Sequence, residues 1–237
     1  MRHHIIGDVH GCIDELEELV SLLDPTPQDG VVLVGDVVDR GPASAEVLRF
    51  LRELSTRTNV TLVRGNHENT HLRGNLAGDE DAQRVAQQLT PDDMEMLRAT
   101  SIWQRLPEYG VLVVHGGIPA NMLVLPDTLE DVGALESRDR KRIAQLMYTV
   151  NIMVDGKPYA WPWRYDGRFG HVIFGHRANM TDRPIEYPHA TGIDLGCVYG
   201  NLLCGITLEG RVWRSTTVKA RRQYAELRPE GAWRATG

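Results

Sequence analysis

Val31-Val32-Leu33-Val34-Gly35-Asp36-Val37-Val38-Asp39-Arg40-Gly41 joins four apolar residues to a glycine-bracketed block of two acids and one arginine. The apolar run has the length and β-branched composition of a buried strand, and the glycine after it opens a turn. Upstream, Arg2–Ile6 reads as another short strand. Ile13, Leu16, Leu19, Val20 and Leu23 then recur at helical spacing with acids between them. That helix must stop at Asp24-Pro25-Thr26-Pro27, because proline removes a donor and excludes the residue before it from the α region. Downstream, Val47, Leu48, Leu51 and Leu54 mark a second amphipathic helix, and Val60–Val63 a third strand. Strand, helix, strand, helix, strand predicts an α/β fold with a mostly parallel sheet and right-handed crossovers.

The rest of the chain is read with the same signals. Residues 70–106 look helical, and Thr90-Pro91-Asp92-Asp93 is a start signal: a capping threonine, proline in the first turn, then acids at the positive end. Val111–Val114 reads as a strand. The segment 119–165 mixes prolines with a helix expected near 136–150 and the cluster Trp161-Pro162-Trp163-Arg164-Tyr165, whose tryptophans are read as packing residues. His171–Phe174, Ala190–Asp194, Leu202–Thr207 and Arg211–Arg214 are expected to be short antiparallel strands. No repeat or linker interrupts the chain, so residues 1–218 are assigned to one domain and 219–237 to a polar C-terminal tail. The basic residues Lys219, Arg221 and Arg222 are read as part of that solvated tail.

Five short blocks stand out: Gly7-Asp8-Val9-His10-Gly11, Gly35 to Gly41, Gly65-Asn66-His67-Glu68, His115-Gly116-Gly117 and Gly175-His176. Each follows a predicted strand, and ligands of α/β sheets gather at the carboxyl ends of strands. Asp8 and Asp36 are 28 residues apart, Asp36 and Asn66 30. One strand–helix unit has that length, so successive blocks should lie on neighbouring strands.

The residue types suit a two-metal centre. Asp8 and His10, two apart in extended backbone, would face one side and chelate one ion. Asp36 can give one carboxylate oxygen to each ion, and Asn66, His115 and His176 would complete the second site. Carboxylate, amide and imidazole donors without thiolate suit Mn, Fe or Zn better than Ca or Cu(I). Two such ions about 3.5–4 Å apart can activate water and clamp phosphoryl oxygens. His67 directly follows a ligand and should point elsewhere; Asp39 can orient it as the acid that protonates a leaving oxygen. Arg40 and Arg64 can fork onto phosphate oxygens, and Arg164 can reach the same phosphate. His3, His4, His71, His171 and His189 lack such a context and are read as structural or surface residues.

In this order, the five blocks resemble the phosphoprotein-phosphatase branch of the calcineurin-like metallophosphoesterases over residues 5–208. The resemblance implies a mixed β-sandwich flanked by α-helices in four layers. It implies one metal held by Asp8, His10 and Asp36, a second by Asp36, Asn66, His115 and His176, with Mn2+ expected and Fe, Zn, Co or Ni as alternatives. It further implies His67 as general acid partnered by Asp39, and Arg40, Arg64 and Arg164 as phosphate contacts. Phe174-Gly175-His176 and Gly192-Ile193-Asp194-Leu195-Gly196-Cys197-Val198-Tyr199-Gly200 are most similar to the bacterial diadenosine tetraphosphatase-like members. Leu195 and Arg177 depart from that branch near the site mouth, which bears on substrate choice, and the C-terminal signature of eukaryotic protein phosphatases is absent. The expected function is therefore metal-dependent hydrolysis of nucleoside polyphosphates or related phosphoanhydrides. The alternative is a Ser/Thr, or Tyr, phosphoprotein phosphatase with the same chemistry. A binding module on the same fold would lack at least one ligand, and none is missing.

Composition fits these expectations. The 237 residues are 42% hydrophobic, enough for a core without disulfides. Three cysteines without a C-x-x-C pair predict free thiols in a reducing compartment. No signal-peptide pattern or membrane-length apolar run is visible, so a cytoplasmic protein is expected. A net charge of −6 argues against non-specific nucleic-acid binding and requires any phosphate site to be locally positive.

Overall fold

The structure, a computed structural model, describes residues 1–126 and 137–227. In chain order β1 is His3–Ile6, α1 Ile13–Leu23, β2 Gly30–Leu33, α2 Ser44–Ser55, β3 Asn59–Leu62 and α3 Asn66–Arg73. There follow α4 Glu80–Ala86, α5 Pro91–Arg98, β4 Trp103–Leu106, β5 Val111–Val114, α6 Ser137–Tyr148, β6 Asn151–Val154 and β7 Lys157–Ala160. The chain continues through β8 His171–Phe174, β9 Ile185–Tyr187, β10 Ala190–Gly192, β11 Leu202–Glu209 and β12 Val212–Lys219.

Two five-stranded mixed sheets result, ordered β12-β11-β1-β2-β3 and β4-β5-β8-β10-β9. The period-two alternation of strand side chains assigns the layers. Ile5, Val32, Val34, Val111, Val113, Ile173, Cys204 and Ile206 share one buried cluster between the sheets. Their neighbours Ile6, Val31 and Leu33 point outward to Leu16, Leu19, Val47 and Leu51 of α1 and α2. Leu112, Val114 and Val172 of the other sheet point outward to Ile143, Leu146 and Met147 of α6. Helices, sheet, sheet and helix therefore stack in four layers, as the resemblance implies.

The first half follows the sequence reading closely. Strands β1, β2 and β3 are parallel neighbours, and α1 ends at Asp24 in a left-handed conformation before the prolines. Thr90 caps α5: its hydroxyl accepts from the Asp93 N–H, and the Asp93 carboxylate accepts from the Thr90 N–H.

Two expectations are corrected and one hairpin is added. The stretch 70–106 is not uniformly helical: after α5 the chain turns and Trp103–Leu106 pairs antiparallel with β5. Four residues are too few for periodicity to separate helix from strand, and the partner decides. Strands β8 and β10 are parallel, not antiparallel, because the chain between them crosses over through β9. The β6–β7 hairpin, missed in the sequence, turns at Asp155-Gly156, both at positive φ. An Asp-Gly pair is a strong hairpin signal, and it was present.

The C-terminal stretch also differs from a solvated tail. Lys219 ends β12, the Arg221 N–H and the Tyr224 hydroxyl donate to Glu15 Oε1 (2.8 Å each), and the Tyr224 N–H donates to the Val198 carbonyl (2.9 Å). Residues 228–237 of that predicted tail lie outside the described residues. Among the described residues, no helix is long and apolar enough to cross a membrane.

Candidate metal centre

Each of the five blocks begins where a strand ends, on β1, β2, β3, β5 and β8, so both sheets deliver side chains to one edge. The loops are cross-tied by backbone. The Val9 and His10 N–H groups donate to the Asp36 carbonyl, Gly11 N–H to that of Val37, and Gly175 N–H to that of His115. Glu68, fully buried, accepts from the N–H groups of Asp36, Val37 and Gly65 at 2.8 Å each and fixes the β2 loop against α3.

The backbone at the site is strained. Seven non-glycine residues have positive φ among the described residues, and five of them are His10, Asp36, Asp39, Arg40 and His176. Such conformations persist only where surroundings over-determine them, and they concentrate at functional sites. His10, at φ 47°, corrects one expectation: the chain turns there and is not extended from Asp8.

Asp36 is the hub. Its Oδ2 lies 3.6 Å from His10 Nε2, 3.2 Å from His115 Nε2 and 4.0 Å from His67 Nε2. His115 Nε2 is also 3.0 Å from Asn66 Oδ1 and 3.2 Å from His176 Nδ1, which is 2.8 Å from the same Asn66 oxygen. Two groups of donors, His10 with Asp36 and His67, and Asp36 with His115 and His176, each lie within 4.8 Å of one another. Asp8 is in neither group. It enters through backbone, its carboxylate accepting from the His176 N–H at 3.0 Å. Gly175 permits this approach, since a Cβ there would lie 1.9 Å from Asp8 Oδ1.

The donors fit divalent cations. His10 Nδ1–H donates to the Val38 carbonyl (2.9 Å) and His115 Nδ1–H to that of Val34 (3.1 Å), so each Nε2 faces the cluster. Burial, then Asp194 and then Asp36, pushes the Asp8 carboxyl well above the carboxylate range. Burial opposes charge on Asp36 as well, yet His115, His67 and His10 hold its carboxyl well below that range. Burial likewise opposes charge on His115, but Asp36, Asp8 and Glu68 overcome it and raise the imidazole to about 9. Burial and His115 together lower His176 to about 3. Buried carboxylates thus compete for the few protons present, the condition that a bound cation relieves. A cationic group already rests on one donor: Arg40 Nη1 is 3.0 Å from His10 Nε2.

The other predicted residues divide. His67 and Asp39 meet as expected, with Nδ1–H donating to Oδ2 at 2.7 Å. Arg40 lies in the cluster, its Nη1 donating to the Tyr199 hydroxyl at 2.6 Å. Arg64 is placed elsewhere. Its N–H pairs with the Ser101 carbonyl, and its buried guanidinium donates to Thr100 Oγ1 (2.7 Å) and the Arg98 and Thr100 carbonyls. The carbonyls at the end of α5 need donors, and Arg64 supplies them. Arg164 is exposed and lies over the Tyr159 ring at 4.4 Å. Trp161 is buried with its N–H on the Gly116 carbonyl, whereas Trp163 is largely exposed.

Four residues to which the sequence reading gave no role at the site also belong to it. Glu68 braces the loops. His71 Nε2–H donates to Asp39 Oδ1 at 2.7 Å, so Asp39 is held by two imidazoles. Asp194, raised to about 6 chiefly by burial, faces Asp8 electrostatically. Tyr199 anchors Arg40. Spacing offered one hint, since His71 lies four residues after His67 and shares its helix face.

Similarity to known proteins gives the family. Residues 1–180 match the family model described as calcineurin-like phosphoesterase. A relative from Bacillus subtilis (strain 168), bis(5'-nucleosyl)-tetraphosphatase PrpE [asymmetrical], is 30% identical over 86% of this chain and 90% of its own length. One from Shewanella sp. (strain W3-18-1), bis(5'-nucleosyl)-tetraphosphatase, symmetrical, is 32% identical over 86% of this chain and 93% of its own. The solved structure of a protein described as a diadenosine tetraphosphatase superposes with TM-score 0.71 and 26% identity, covering 91% of this chain and 93% of that one. The chain belongs to the calcineurin-like phosphoesterases, hydrolases of phosphoric ester or anhydride bonds.

Proposed function

We propose that this protein hydrolyses nucleoside polyphosphates such as diadenosine tetraphosphate with two divalent ions, Mn2+ first among them. The observation that carries the reaction class is the convergence of His10, His67, His115 and His176 on the single carboxylate of Asp36. The substrate class is supported by relatives named as bis(5'-nucleosyl)-tetraphosphatases that align over most of both chains.

Asp8, His10 and Asp36 would hold one ion, and Asp36, Asn66, His115 and His176 the other. When bound, such ions supply Lewis acidity and an activated water. The protein's own groups do the rest. His67, held through Nδ1 by Asp39, turns Nε2 toward the cluster and can deliver a proton to the departing oxygen. Arg40 can move a guanidinium N–H from His10 to a phosphate oxygen while Tyr199 keeps its position.

The test compares rates on diadenosine tetraphosphate, a phosphopeptide and inorganic polyphosphate, before EDTA, after EDTA, and after Mn2+ is restored. Hydrolysis should vanish and return with the metal, and diadenosine tetraphosphate should be fastest. A faster phosphopeptide would transfer the reading to protein phosphatase; activity indifferent to EDTA would remove the metal assignment.

A further inference from the structure

Beside the metal centre lies an open cavity of about 320 Å³ that the chemistry above does not use. Arg40, Gly41, Arg84, Arg222 and Tyr224 line it. Its three arginines come from three distant segments: the β2 loop, helix α4 and the stretch after β12. Arg84 donates to the Gly41 carbonyl at 3.2 Å and pairs with Asp81, which also accepts from the Arg40 N–H. Arg222 is exposed, lies over the Tyr224 ring at 5.1 Å, and has no ion-pair partner among the described residues.

The arrangement is built. Glu15 is buried inside α1, and its Oε1 holds both the Arg221 N–H and the Tyr224 hydroxyl, while Val198 holds the Tyr224 and Ala225 N–H groups. These bonds fold the C-terminal stretch back and bring Arg222 to Arg84. On a chain of net charge −6, converging guanidinium groups around one cavity mark a place for a polyanion. Its volume is that of a small-ligand pocket. Planar guanidinium forks match phosphate oxygens in pairs, which ammonium groups do not. Arg40 makes the connection, since one of its N–H groups sits on the metal donor His10 and the side chain also lines the cavity.

We propose that Arg84 and Arg222, with Arg40 as the link, form a subsite for the distal phosphates of a nucleoside polyphosphate whose reacting phosphate lies at Asp36. The inference rests on the nucleoside polyphosphate reading given above and adds where the remainder of such a substrate lies. Substrates with a single phosphate do not reach this cavity, so the subsite sets preference for phosphate chain length.

The test uses the full chain with Mn2+ in excess of all phosphates and p-nitrophenyl phosphate hydrolysis as the reporter. Tripolyphosphate and orthophosphate serve as competing inhibitors. In the parent protein, tripolyphosphate should inhibit more tightly than orthophosphate. In Arg222→Glu and, separately, Arg84→Gln, that advantage should shrink about tenfold, the worth of one charge-assisted contact, and the KM for diadenosine tetraphosphate should rise in parallel. No advantage in the parent, or the same advantage in both variants, overturns the proposal. So does inhibition by an acidic peptide that Arg222→Glu abolishes while tripolyphosphate inhibition holds. If p-nitrophenyl phosphate is cleaved and diadenosine tetraphosphate is not, the substrate reading fails, while the inhibition ratio still decides the subsite.

Discussion

Asp39 accepts hydrogen bonds from His67 and His71 at 2.7 Å each, and it sits in a left-handed backbone conformation that presents both oxygens inward. Burial opposes its charge, but the two imidazoles outweigh that and lower the carboxyl to about 2. A carboxylate ionised at every working pH keeps a proton on His67 Nδ1 and fixes the ring direction. A proton on Nε2 is then the one available for the leaving oxygen. His67→Asn should therefore retain bound metal and lose about 10²–10⁴-fold in kcat on alkyl phosphates, with a much smaller loss on nitrophenyl phosphate. Metal content by elemental analysis and a leaving-group series check this; full rates on alkyl phosphates would remove His67 as the acid. Asp36→Asn should lose metal and activity together, because every imidazole of the cluster is arranged around that carboxylate.

Loops after parallel strands carry the site, and their precision depends on how closely the elements approach. At Gly175, after β8, the absent Cβ is where Asp8 of the β1 loop lies, so two strands from different sheets meet through a glycine and a carboxylate. Gly175→Ala must displace Asp8 or the β8 loop. A shift of that kind, near 1 Å, should lower kcat/KM by about 10²-fold. Metal affinity measured by equilibrium dialysis should fall with it. A variant with parental affinity and rate would show that Asp8 is not held where the β8 loop requires.

For the molecule as a whole, stability depends on junctions that lie far from the site. Asp29, before β2, accepts from the N–H and guanidinium of Arg2 and from the N–H and hydroxyl of Thr26. Burial opposes its ionisation, yet these bonds hold the carboxyl far below its ordinary 3.8. A depressed carboxyl contributes stability above its unfolded pKa and loses it as pH falls through the folded value. Asp29→Asn should thus cost about 2 kcal/mol at pH 7 and flatten the loss of stability below about pH 4. Denaturant melts at both pH values measure this, and an unchanged acid limb would exclude Asp29 as a source.

Local signals in the chain determined a good deal by themselves. Helical periodicity and a proline stop placed α1 and α2, which are long enough for one period to dominate, while short β-branched runs beside turn signals marked β1, β2 and β3. The spacing of Asp8, Asp36 and Asn66 announced neighbouring strands, and the residue types in the blocks announced metal chemistry. Tertiary structure alone decided the rest. Strand β4 exists because β5 offers it a partner, and the Arg64 guanidinium donates to Thr100 and to the Arg98 carbonyl because the chain leaving α5 lies beside it. His71, Glu68 and Asp194 joined the site through packing between segments, and Arg222 reached Arg84 because the buried Glu15 drew the C-terminal stretch back. A local pattern encodes what a segment can form, whereas which atoms face each other depends on contacts between residues far apart in the chain.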